Sequence, residues 1–187
     1  MTTSRATLFE VFADLLGRPE ELRIDAPFFR SVGFFPRKPT PSTTIVATNG
    51  FANTPLHQAT GPDIRQELIV VADDVQNREE VASLLVSLAN EVGRRTHAIE
   101  HGEVFGPSGP LFPDSSLTAL FATIPAFLPS TFRSHHSPDG VTIGVWLLPI
   151  SDEEAVFARA AGPGRFQDWL EDVDDLYGFF RKPGSPR

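Results

Sequence analysis

The chain predicts an α+β domain: a mixed, largely antiparallel β-sheet of about five or six strands with helices packed on it. Three observations carry this expectation. Apolar, β-branched runs such as IRQELIVV (64–71) and VTIGVWLLPI (141–150) have strand character. Apolar stripes at helical spacing separate such runs, as at Val81, Leu84, Leu85, Leu88 and Val92. The two kinds of element are interspersed without the strict alternation of a doubly wound fold.

Each element has a local reason. Leu8, Val11, Phe12, Leu15 and Leu16 recur at helical spacing, so a first helix is expected over Ser4–Leu16, capped by Ser4 and stopped by Gly17. An aromatic-rich strand is expected within Arg23–Phe35, ending at Pro36 and followed by a proline-rich surface loop, FPRKPTPSTT. Ile45–Thr48 reads as a short strand closed by Asn49–Gly50, and Ile64–Val71 as a strand apolar on both faces from Leu68 onward. Asn77 and Glu80 have capping-box spacing at the start of the second helix.

Leu117–Ile124 forms a further strand, cut off by Pro125. A short strand around Phe132 leads through the turn Ser137–Gly140 into the long strand Val141–Ile150. There Val141, Ile143, Val145 and Leu147 line one face, and Trp146 and Leu148 the other. Ser151 caps a third helix with Glu154 as its N3 acid. Pro163 starts a last helix whose Phe166, Trp169, Leu170 and Val173 face inward. Residues 1–178 are expected to form one domain, and 179–187 a flexible tail.

Composition excludes several classes. A chain of 187 residues can bury roughly 70% of its unfolded surface, so neither metal nor disulfide is needed for stability. With 41% hydrophobic and 21% charged residues it is globular. The absence of cysteine removes disulfides, thiol nucleophiles and cysteine-ligated metals. A net charge of −8 argues against nucleic acid as partner. That acidity serves solubility or suits a basic partner. No secretory signal opens the chain and no apolar run nears the roughly 18 residues of a membrane span, so a cytoplasmic location without membrane contact is expected.

One motif invites a catalytic reading. His97, Glu100 and His101 spell H-x-x-E-H, in which two imidazoles on one helical face hold zinc and the carboxylate activates its water. The second helix, projected onward to a stop at Gly102, places both histidines in its last turn on the polar face, away from Ile99. A cation there gains roughly 0.3–1 kcal/mol from the helix dipole without any catalytic role. A third ligand is also required, and nothing singles out Glu171 from Glu154 or Asp168. The expectation is therefore no cofactor, no metal and no catalytic residue, with a zinc-dependent hydrolase as the alternative.

Other chemistry is weaker. His135 and His136 are adjacent on a strand and cannot both face one site. No nucleophile elbow, phosphate-cradling loop or dinucleotide fingerprint occurs. Asp168, Glu171, Asp172 and Asp175 are expected on the outer face of the last helix, as a solvated face or a partner surface.

Three segments, taken in order, resemble the suppressor of fused family. The first is TTIVATNGFANTP followed by IRQELIVV: strand, Thr-x-Gly turn, then an Arg-x-Glu-Leu strand. The second is SLLVSLANEV followed by DSSLTALFATIP, and the third is VWLLPISDEEAVFARAAG. One departure is Phe51–Ala52 after the glycine, where the family usually has Met-Ser. The resemblance implies a non-enzymatic protein-binding domain with no metal role for HAIEH. Short bacterial members are thought to be immunity proteins that neutralise toxins of polymorphic toxin systems, so a toxin is the implied partner. Arg65 and Glu67, on one strand face, form either a salt pair worth under about 1 kcal/mol or part of a partner-binding patch with Asn49 and Asn53.

Overall fold

A computed structural model describes residues 7–74, 78–130, 133–138, 140–173 and 175–186. Among these the chain folds into the expected α+β class, but with eight strands: β1 Glu20–Arg23, β2 Ser31–Pro36, β3 Thr43–Asn49, β4 Arg65–Asp73, β5 Val104–Phe105, β6 Ala119–Thr123, β7 Ser134–Ser137 and β8 Gly140–Ile150. The sheet order is β1-β2-β3-β4-β8-β6-β5, with β7 also on β8. Every pairing is antiparallel except β4 with β8. β4 covers one edge of β8, while β7 and β6 share the other, β7 at residues 140–143 and β6 at 146–150.

The excess over five or six strands has a physical cause. β1 is Glu-Glu-Leu-Arg, an edge strand too polar for an apolar pattern to reveal. The aromatic strand expected from Arg23 starts only at Ser31, and β5 is two residues long.

Among the described residues four α-helices cover the sheet: α1 Leu8–Leu16, α2 Arg78–Arg95, α3 Asp152–Ala161 and α4 Pro163–Leu170. The two-residue period of the strands divides the core. Val46, Leu68, Val70, Val145 and Leu147 pack under Val81, Leu85, Leu88 and Val92 of α2. Ile45, Ile69, Val71, Trp146 and Leu148 pack under α1, α3 and α4, with Phe12, Ala155 and Phe166 in contact. β4 and β8 are thus buried on both faces, as their near-continuous apolar runs require.

The cap expected on α3 is found, but α1 starts only at Leu8 and is capped by Thr7, not by Ser4. Ser151 and Glu154 form a reciprocal capping box on α3, and Thr7 with Glu10 does the same on α1. The caps expected at Ser4 and Asn77, and the strand residue Phe132, lie outside the described residues. No helix among the described residues is long and apolar enough to cross a membrane.

Three endings differ from expectation. α2 stops at Arg95, before HAIEH, because Thr96 takes a left-handed conformation (φ 57°). The chain then runs extended, and the buried Gln66 amide bonds both backbone groups of Ile99, accepting its N–H at 2.9 Å and donating to its C=O at 2.8 Å. Side-chain amide replaces helix as the partner of that backbone.

The segment expected as a frayed tail is instead packed through Gly184. Phe179 is fully buried, and Arg181 places its guanidinium against Glu154 and the Pro149 carbonyl. A charged residue in a short C-terminal stretch gives no sign of a buried partner elsewhere. Helix α4 likewise ends at Leu170, so Glu171, Asp172 and Asp175 are exposed beyond it.

Candidate functional site

Asn49, Asn53, Arg65 and Glu67 line one polar cleft of about 510 Å³. It lies beside the N-terminus of α1, on the sheet face that carries α1, α3 and α4. Register builds its floor: Arg65 stands opposite Thr142, and Thr142 opposite His135, so three side chains cross β4, β8 and β7 abreast. Arg30, Asn49 and Asn53 close one side.

The wall is a turn. β3 ends at Asn49, Gly50 turns the chain at φ 104° and ψ 1°, and Phe51–Asn53 make one 3-10 turn anchored by the fully buried Phe51. That positive φ is open to glycine and strained for side-chain-bearing residues. Phe51, where the family pattern has methionine, is therefore a core anchor.

Glu67 and Arg65 hold this turn by opposite polarities. One Glu67 oxygen accepts the Gly50 N–H at 3.0 Å and the Ala52 N–H at 3.3 Å, and the other accepts the Thr48 hydroxyl at 2.5 Å. Thr48 in turn takes the Leu68 N–H at 2.9 Å, where the β3–β4 ladder ends. Arg65 donates from Nη1 to the Ala52 carbonyl at 2.8 Å and the Asn53 carbonyl at 3.1 Å. The salt pair considered from sequence is thus replaced by two polar clamps on one loop, one of them buried.

A perturbed carboxylate in a cleft is a standard candidate for acid–base chemistry. Glu67 is 2% exposed, and burial pushes its carboxyl up to about 7 against the pull of Thr48 and the turn's N–H groups. Both oxygens, however, are occupied by the protein. Such an arrangement positions backbone and presents nothing to a substrate.

Asn49 is also partly committed, donating its amide to the Ser31 hydroxyl at 3.2 Å. Asn53 is exposed, and its backbone alone holds the turn. Thr48, Arg30 and His135 belong to this site too. Thr48 was legible only as part of the Thr-x-Gly turn, and His135 only once register placed it opposite Thr142.

The H-x-x-E-H residues do not assemble. With α2 ended at Arg95, the helical spacing that would put His97 and His101 on one face is gone. His97 bonds the Arg95 carbonyl and lies against His57, while the His101 ring sits edge-on to Phe121. Among the described residues no group of three or more His, Asp or Glu is placed to hold a metal ion.

A mixed sheet faced by helices on both sides, with a clamped turn walling a polar cleft, defines a particular class of α+β domain. The chain belongs to the suppressor of fused family: the family pattern, suppressor of fused protein (SUFU), matches residues 26–177. The fold agrees. The chain superposes on the Sufu–Fu complex structure with a TM-score of 0.74 at 11% identity, over 95% of this chain and 88% of that one. Drosophila Suppressor of Fused gives 0.72 at 13%, over 95% of this chain and 49% of that one. A SUFU homolog from Neisseria gonorrhoeae FA 1090 gives 0.73 at 13%, over 96% of each. No curated protein sequence matches the chain.

Proposed function

We propose that this chain is a non-enzymatic protein-binding domain of the short bacterial type, acting in the cytoplasm, whose partner is a toxin that it neutralises by occlusion. The carrying observation is the doubly clamped turn at 50–53, which presents Asn53 and the neighbouring Arg30 from a rigid base. Rigid presentation lowers the ordering cost of association, and that is the main use of a pre-formed binding surface. Family membership supports the reading, and a relative has been solved as the Sufu–Fu complex. Burial of about 1,600 Å² around the cleft would suffice for a stable complex. The net charge of −8 favours encounter with a basic partner.

The test uses the product of the neighbouring reading frame as the candidate toxin. Titration should give a one-to-one complex in which toxin activity is lost. Dissociation should return a toxin of unchanged mass with its activity restored. A covalently altered toxin, or no association, contradicts the proposal.

A further inference from the structure

The H-x-x-E-H pattern directs attention to His97 and His101, but the fold pairs His97 with a different imidazole. His57 and His97 face each other across a parallel bridge, with the His57 N–H on the Thr96 carbonyl and the Ala98 N–H on the His57 carbonyl, each at 2.8 Å. Directly opposed residues project to the same side, and the two rings stand 6.2 Å apart, centre to centre, at 77°.

Hydrogen bonding fixes how these rings present themselves. His57 Nδ1 lies 2.7 Å from the Asp63 carboxylate, and His97 Nδ1 lies 2.7 Å from the Arg95 carbonyl. Both partners only accept, so in each neutral ring Nδ1 carries the hydrogen and Nε2 holds the free lone pair. This is how protein imidazoles are prepared for metal: one nitrogen anchored to a carboxylate or backbone carbonyl, the other left to coordinate.

The separation is near that of a shared ion. A tetrahedral ion with metal–nitrogen bonds of about 2.0–2.1 Å holds two imidazole centres about 5 Å apart, so the exposed His57 and His97 rings, now 6.2 Å apart, must close by about 1 Å to share one.

We propose that His57 and His97 form a surface site for one divalent transition-metal ion of the zinc and copper group. Imidazole nitrogen selects borderline ions of this kind over magnesium or calcium. Two nitrogens come from the chain and water completes the shell, so the site is an exchangeable binding position and not a buried structural one. Asp63 is a positioning residue, holding the His57 ring through Nδ1. The site stands apart from the cleft at 50–53, and its failure would leave the binding proposal untouched.

The experiment uses the untagged full chain, stripped of metal by a chelator and then titrated calorimetrically with zinc chloride. A parallel titration with copper(II) is read by electron paramagnetic resonance. One ion per chain is expected, with two nitrogen couplings on copper. His57→Asn and His97→Asn should each weaken binding at least about tenfold, and Asp63→Asn by about tenfold. His101→Asn and His136→Asn should leave it unchanged. Because His57 and His97 are exposed, the variants should melt with the parent, which separates loss of metal from loss of fold. Undiminished binding in the His57→Asn, His97→Asn double variant, or a loss caused by His101→Asn, overturns the proposal.

Discussion

Arg65 and Glu67, two residues apart on β4, grip the same turn from opposite ends of its peptide dipoles. Arg65 donates to the carbonyls of Ala52 and Asn53, and Glu67 accepts the N–H groups of Gly50 and Ala52. The strand thereby dictates the shape of a loop whose buried anchor is Phe51. Recognition by such a loop starts from a pre-formed surface.

Glu67→Ala removes the acceptor for two backbone N–H groups and the Thr48 hydroxyl in a buried place. A loss of about 2–4 kcal/mol in unfolding free energy is expected. Urea unfolding measures it, and a change under about 0.5 kcal/mol would mean that the clamp is not structural.

Glu67 also predicts a pH dependence. Its folded-state value near 7 lies above the ordinary 4.5, so the folded protein binds the proton more tightly. Its contribution is fully present below about pH 4.5 and is lost as pH rises through about 7, a fall of order 3 kcal/mol. Glu67→Gln keeps the shape and lacks the titration. The stability of the parent minus that of the Gln variant should therefore decline between pH 4.5 and 7. A flat or rising difference contradicts this account of the site.

The Glu154–Arg181 pair has both side chains fully out of solvent at 2.6 Å. Arg181→Met leaves a buried carboxylate without its cation and should cost about 3–5 kcal/mol. Adding Glu154→Gln should recover part of that loss, since the charge goes and the capping oxygen stays. Equal stability of the single and double variants, measured by denaturation, would count against the pair.

Gly178→Ala tests the same C-terminal clasp through the backbone. Gly178 has φ 86°, and a Cβ there would run into the Asp73 carboxylate that accepts the N–H groups of Phe179 and Phe180. A destabilisation of about 2 kcal/mol is expected, with faster proteolysis from the C-terminus. Unchanged melting and proteolysis would show the clasp to be dispensable.

Legibility followed the range of the forces involved. β4, β8, the buried stripe of α2 and the Ser151 cap rest on local periodicity and local hydrogen bonds, and the sequence predicts them. β1 and β5 were hidden because edge strands are stabilised by a neighbour and carry no apolar pattern of their own. The end of α2 was hidden because Gln66, remote in sequence, takes over the backbone of Ile99. Arg65, Glu67, Asn49 and Asn53 were brought to notice by the strand–turn–strand pattern. Their use as clamps and rim depended on burial at Glu67, which the polar letters of the motif conceal.

The face around the 50–53 turn is the surface proposed to cover another protein. Asn53→Arg tests it most directly, because the Asn53 side chain is exposed and only its backbone holds the turn. Calorimetric titration of the partner against the parent and this variant should show binding at least about tenfold weaker, with melting unchanged. Equal affinity in the two proteins would place the contact elsewhere and contradict the claim.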